Sequence, residues 1–177
     1  MTTRPAVAPT TRVPGPPEAA DQALPVVSRW LPWAAVLVAM AGVAVASYLT
    51  YAHFTTAAVL SCPDTGVVNC TKVTTSPESV IFGVIPVAVL GLAYFLAMVG
   101  LNLPWSWEAR GRAGAWLARI RLAGAVVGIG FVLYLVSMEI LVIGAICIYC
   151  TVVHVLTFGL LLLVAAGTAQ RGLEAWE

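Results

Sequence analysis

The stretch Ile143–Ala166, IGAICIYCTVVHVLTFGLLLLVAA, decides the fold. It contains no Asp, Glu, Lys or Arg. It is long enough to cross a hydrocarbon core of about 30 Å as one helix. Three more apolar stretches precede it, at about Leu31–Phe54, Val80–Leu103 and Ile120–Met138. Periodicity alone also fits helices buried in a soluble core, but composition argues against that. Of 177 residues, 60% are hydrophobic and only 10% charged, where a soluble domain carries about 25% charged residues. Mean hydropathy is +0.95. The expected fold is all-α. It is a polytopic membrane protein, a four-transmembrane-helix bundle in up-down order, with an extracytoplasmic loop between helices 1 and 2. Gly42, Ala46, Gly124 and Gly128 are small enough to let such helices approach closely. A formal charge of +1 leaves no cationic excess for nucleic acid.

Charge fixes the expected orientation. Arg4, Arg12 and Arg29 precede the first span, and Arg110, Arg112, Arg119 and Arg121 lie between the second and third. Arg171 follows the fourth, and only Lys72 falls between the first and second. Eight of nine basic residues thus share one side. The positive-inside rule makes that side cytoplasmic, in a multi-pass plasma-membrane protein with both termini inside. All six tryptophans (Trp30, Trp33, Trp105, Trp107, Trp116 and Trp176) gather at the same interface. Residues 1–28 contain Pro5, Pro9, Pro14, Pro16, Pro17 and Pro25 and few large apolar groups. They read as a disordered cytoplasmic tail, not a secretory signal. Residues 29–168 form the membrane domain, and 169–177 a short cytoplasmic tail.

The four cysteines carry the chemistry. Cys62 and Cys70 lie in the long loop Thr55–Ser79, separated by seven residues that include the turn-prone Pro63-Asp64-Thr65-Gly66. Cys147 and Cys150 form a Cys-Ile-Tyr-Cys pair at the outer end of the fourth span. All four fall on the oxidising side, where disulfides form and persist. Two structural disulfides would suit the loop pair. They suit the span pair poorly, because a helix already satisfies its own backbone and gains little from a clip across one turn. At a helix N-terminus, a Cys-x-x-Cys has its thiolate stabilised by the helix dipole, which makes the sulfur reactive. Metal binding is the other reading, with the four cysteines or a set including His154 as ligands. The Cys62–Cys70 spacing is wider than zinc sites use, and Thr151 after Cys150 breaks the c-type haem signature. Two dithiol pairs in series form a relay, one able to meet a soluble protein and one a lipid-soluble carrier.

Over roughly Leu31–Ala166 the chain resembles the vitamin K epoxide reductase family, in its bacterial disulfide-forming branch. The resemblance rests on Cys62 and on Asn69-Cys70-Thr71-Lys72-Val73, with Ser76 six residues after Cys70. It extends to Gly83, Pro86 and Gly91, and to Cys147-Ile148-Tyr149-Cys150. It implies a membrane thiol oxidase that re-oxidises an extracytoplasmic thioredoxin-fold (DsbA-like) protein and passes the electrons to a quinone, menaquinone or ubiquinone. The catalytic residues implied are Cys62, Cys70, Cys147 and Cys150. Cys62 is favoured to meet the partner, Cys70 exchanges with Cys147, and Cys150 lies nearest the quinone. The partner is expected to be a separate polypeptide, because the chain ends at Glu177 without the thioredoxin domain that some members carry. A DsbA-like partner near about −120 mV needs an acceptor more positive still, which a respiratory quinone supplies.

Ser76, Pro86, His154 and Phe158 are the candidate quinone contacts. Ser76 precedes Pro77 and Glu78, which also reads as a helix N-cap. His154 lies four residues after Cys150, placing both on one helix face that Phe158 is expected to share. A polar group in a span is often functional, although a packed histidine bonded to a neighbouring helix is the plainer reading. Vertebrate relatives carry tyrosine at its position. Pro86 is expected to kink the second span. Tyr94 and Tyr134 read as pocket or core aromatics, and Tyr48, Tyr51 and His53 as interfacial anchors. Glu139, 18 residues after Arg121 and so about 27 Å further along a helix, reads as a solvated acid at a helix end, with a proton relay as the alternative. The competing readings of the whole chain are a membrane scaffold with structural cysteines and a metal-binding protein.

Overall fold

The computed structural model describes residues 30–55, 60–62 and 65–170. The expected tail over residues 1–28, the cations Arg29 and Arg171, and Trp176 lie outside the described residues. The described chain is mostly helical. Helix α1 is Trp30–Thr55, α2 is Cys70–Thr74, α3 is Val87–Asn102, α4 is Pro104–Glu108, α5 is Gly111–Ser137 and α6 is Ile148–Gln170. Helix α6 therefore runs past residue 168 into the expected tail. A π-helical turn, Met138–Ile143, continues α5.

Three helical stretches are long and apolar enough to cross a membrane: Trp30–Thr55, Gly111–Ile143 and Ile148–Gln170. The expected second span is shorter than the sequence indicates. Its first seven residues form an antiparallel hairpin, Val80–Ile81 (β1) against Ile85–Pro86 (β2), with Val80 opposite Pro86 and Ile81 opposite Ile85. Phe82 and Gly83 turn it, with φ of 53° and 69°, and the Val84 N–H donates to the Ile81 carbonyl at 3.2 Å. Proline explains the boundary. It disfavours helical backbone at the residue before it, so Ile85 stays extended. At the helix N-cap its missing N–H costs nothing. Pro86 therefore starts α3, with φ −61°, and does not kink it. The 16 residues of α3 span about 24 Å.

The helices pack in a ring. Helix α1 lies against α3 and α6, α6 also against α5, and α5 meets α3 to close it. Lipid tails are as apolar as leucine, so association depends on close van der Waals packing rather than burial from water. The contacts use small residues accordingly. A Cβ at Gly42 would enter the Phe95 ring, and one at Gly128 would meet the Tyr94 hydroxyl. Outward positions such as Leu37, Val127, Leu141, Val155, Phe158 and Leu162 leave large apolar side chains exposed. So much contiguous apolar surface is untenable in water and natural against lipid. The fold is that of a membrane protein.

Arg121 departs from its expected place in a loop. It sits inside α5 and is fully buried. Its Nε donates to the Leu101 carbonyl at 3.0 Å and its Nη2 to the Ser106 hydroxyl at 2.9 Å. The guanidinium lies 4.0 Å from the centre of the Trp107 ring. This arginine ties the end of α3 and the short α4 to α5.

At the opposite end of the ring a second cluster forms. It joins Leu49 and Ala52 of α1 with Leu60, Cys70, Val73, Ala145 and Cys147. The cysteines are thus part of a packed core.

Candidate active site

Cys70 opens α2, and its position is set by the residue before it. The Asn69 side chain accepts the Lys72 N–H at 2.8 Å, a helix N-cap that fixes the first turn. Cys70 is fully buried and bonded to Cys62, with their Cα atoms 5.9 Å apart, within the usual disulfide range. Cys62 is the partly exposed member of the pair.

A backbone bridge brings this loop to the second pair. Val68 and Ile146 pair in parallel. The Ile146 N–H donates to the Val67 carbonyl at 2.8 Å, and the Asn69 N–H to the Ile146 carbonyl at 3.1 Å. The next residues along the two strands are Cys70 and Cys147. Both are completely buried in the same cluster. The Tyr149 hydroxyl reaches the Ser61 carbonyl at 3.5 Å, and its ring packs on Tyr48 at 5.3 Å. Tyr48 therefore braces the Cys-Ile-Tyr-Cys segment rather than serving as a solitary anchor.

Cys147 and Cys150 carry free thiols. Cys147 immediately precedes α6, and the Cys150 N–H donates to its sulfur at 3.3 Å. A sulfur that accepts a first-turn N–H at a helix N-terminus is placed to exist as thiolate, the form that attacks disulfides. Cys150, one turn on, is partly buried and faces a cavity of about 300 Å³ between the helices. That cavity sits at the small end of the usual range for ligand pockets, and its walls are predominantly apolar. Ser76, Tyr94, Glu139 and His154 contribute polar groups to it.

Two of those groups are unspent. The Tyr94 hydroxyl and His154 Nε2 are buried without a hydrogen-bond partner. Burying an unpaired polar atom costs about 1–3 kcal/mol, and orphans of this kind in a cavity wall call for a partner in the cavity. The Ser76 hydroxyl, by contrast, donates to the Val73 carbonyl at 2.9 Å. Ser76 does occupy an N-cap position before Pro77 and Glu78, but its side chain makes no capping bond, and it heads only a single 3-10 turn, Pro77–Ser79.

The other two expected contacts lie elsewhere. Phe158 is 54% exposed on the outer surface, and neither it nor Pro86 lines the cavity. Steps of four along a helix drift by about 40° each. From Cys150 to His154 the drift is tolerable. A second step carries Phe158 off the buried face, which continues through Thr157, Leu160 and Val164. Tyr134 is also exposed and outside the cavity, whereas Tyr94 lines it. His53 lines it as well, with its Nδ1 3.4 Å from the Thr74 carbonyl. Tyr51 is 58% exposed.

Glu139 is the residue that sequence reasoning misplaces. It is only 6% exposed and belongs to the π turn that ends α5. Gly144, with φ 63°, reverses the chain after that turn. The Ala145 N–H then donates to the Glu139 carbonyl at 3.2 Å. Glu139 shares the cavity wall with Cys150. The sequence does carry a signal for this: a lone acid in an otherwise uncharged apolar run is costly unless it works.

Among the described residues no three His, Cys, Asp or Glu side chains are grouped to hold a metal ion. The model of the vitamin K epoxide reductase family matches residues 33–165. No curated protein matches the chain closely.

Proposed function

Because the chain belongs to the vitamin K epoxide reductase family and is an oxidoreductase of the membrane, we propose that it is a thiol oxidase. It re-oxidises a thioredoxin-fold (DsbA-like) protein outside the cytoplasm and passes two electrons to a membrane quinone. In this reading α3 also crosses, as the second of four spans, and the cysteine end of the ring faces the extracytoplasmic side. The arginine-bearing end and both termini face the cytoplasm, as the charge distribution requires.

The observation that carries the reading is the backbone bridge between Asn69 and Ile146. It sets a bonded cysteine pair against a free Cys-x-x-Cys beside an apolar cavity. A partner thiolate attacks Cys62, the partly exposed member of the pair, and Cys70 leaves as thiolate. The partner's second thiol then closes its own disulfide, leaving Cys62 and Cys70 reduced. With Cys147 and Cys150 bonded, the Cys70 thiolate attacks Cys147. Cys62 resolves that bond, and the inner pair becomes the dithiol. The arrangement of the structure, outer pair bonded and inner pair free, corresponds to this last state.

The residues present fit a quinone head group. The cavity is apolar, its volume suits a substituted ring, and Tyr94 and His154 offer unpaired polar atoms for its oxygens. The quinone supplies the two-electron acceptor. The chain's residues supply the dithiol, hydrogen bonds at the oxygens and exclusion of bulk water.

The test is turnover by the purified protein with a reduced thioredoxin-fold substrate, followed by loss of quinone absorbance. Cys147→Ser and Cys150→Ser are each expected to abolish it. Full turnover in both single variants would exclude the relay.

A further inference from the structure

The relay moves protons as well as electrons. Closing the Cys147–Cys150 disulfide breaks two S–H bonds and forms one S–S bond. Two electrons and two protons leave, and the quinone takes both to become quinol. Cys150 is partly buried against a predominantly apolar cavity, where a protein group is placed to receive its proton.

We propose that Glu139 is a catalytic residue, the base that takes the proton of the Cys150 thiol and hands it on into the cavity. The inference rests on the thiol-oxidase reading above. Two observations support it. The residue lines the same cavity as Cys150, Tyr94 and His154. It is only 6% exposed, on a π turn, an irregularity that recurs at functional sites. A buried carboxylate that served only the fold would be a net cost unless paired. Here the reacting Cys150 lines the same cavity. The Ala145 N–H to Glu139 carbonyl bond ties the base to the segment that carries Cys147, so sulfur and carboxyl keep their register.

The step balances. The Cys150 S–H bond breaks and a carboxyl O–H bond forms. That O–H then breaks as the proton passes to an oxygen in the cavity. Cys147 gives up its own proton in becoming the thiolate, and the same carboxylate passes that one on. The other titratable groups around the cavity are His53 on α1, Glu78 in the 3-10 turn, Tyr94 on α3 and His154 on α6. Of all these groups, Glu139 is the acid tied by a main-chain hydrogen bond to the segment that carries the cysteine pair.

The primary test needs no quinone. The full chain in detergent is compared with its inner pair reduced and oxidised by infrared difference spectroscopy. With no quinone to take it, the proton stays on Glu139 once the pair is oxidised, so the expected spectrum has a carboxylic acid C=O band that appears on oxidation, shifts in D2O and is absent from Glu139→Gln. A spectrum with no such band, or one unchanged in the variant, overturns the proposal. Where Glu139→Gln does not fold, Glu139→Asp replaces it: a displaced band supports the assignment, and an unmoved band refutes it. A second arm follows single-turnover oxidation of the pre-reduced protein by quinone. Glu139→Gln is expected to lower that rate about 10²-fold and to flatten its pH profile, with Glu139→Asp recovering part of both. A merely structural role would leave the pH profile unmoved. A variant with wild-type rate and profile sinks this inference alone, whereas wild-type protein that reduces no quinone sinks the broader reading. The infrared arm reads Glu139 in either case.

Discussion

The backbone N–H of Asn69 donates to the carbonyl of Ile146 at 3.1 Å, and each residue is followed by a cysteine. Two segments 77 positions apart in sequence are thus held in parallel register, and the disulfide-bonded Cys70 and the free Cys147 enter one buried cluster together. The loop pair is docked by main-chain hydrogen bonds, which hold whatever side chains surround them.

The Asn69 side chain does a second task, capping α2 through the Lys72 N–H. Replacing it with alanine removes the cap and leaves the main-chain bridge. A cap of this type is worth about 1 kcal/mol. Asn69→Ala is expected to raise hydrogen exchange at the Lys72 amide several-fold and to slow exchange between the two cysteine pairs, with little change in overall helicity. Amide exchange read by mass spectrometry on the reduced and oxidised protein checks this.

Tyr94 and His154 should behave differently from Phe158. The Tyr94 hydroxyl is buried without a partner, so Tyr94→Phe removes an unsatisfied group and should leave stability unchanged or raise it by about 1 kcal/mol. The same change should raise the KM for quinone, because the hydroxyl finds its partner only when the cavity is filled. His154→Leu should also raise KM. Phe158→Ala, on the outer surface, should leave KM as it is. Thermal unfolding alongside steady-state kinetics separates the two effects.

Arg121 lies far from the cysteines and should be purely structural. Arg121→Met keeps much of the side-chain length but loses the bonds to Leu101 and Ser106 and the charge over Trp107. Hydrogen bonds from a charged donor contribute about 1.5–3 kcal/mol each. The variant should unfold several degrees lower, while its folded fraction keeps the wild-type rate of cysteine exchange.

Much of this is legible in the sequence, because the strongest signals are local. Uncharged apolar runs mark α1, the body of α5 and α6, and the Cys-Ile-Tyr-Cys motif falls at the start of α6 where expected. Gly42 and Gly128 sit at close contacts, as small residues among lipid-facing helices should. The departures have physical causes. The run from Val80 is apolar enough for a helix, yet Pro86 and the Phe82-Gly83 turn impose extended backbone on its first seven residues. Phe158 falls off the cavity face because a four-residue step is not a whole number of turns. Arg121 and Glu139 each read by polarity as solvent-facing. Each is instead buried, Arg121 against the Leu101–Trp107 corner and Glu139 in the cavity wall with Cys150. The bridge between Val68 and Ile146 involves two ordinary aliphatic residues and leaves no mark in a single sequence.

The central claim is that Cys70 passes electrons to Cys147, and trapping the bond between them tests it most directly. In the double variant Cys62→Ser, Cys150→Ser, both resolving sulfurs are gone and only Cys70 and Cys147 remain. Mild oxidation of the purified protein is expected to give one intramolecular Cys70–Cys147 disulfide, identified by mass spectrometry of the linked peptides and reversed by dithiothreitol. Two free thiols after oxidation, in a variant that keeps the wild-type helical spectrum, would contradict the account.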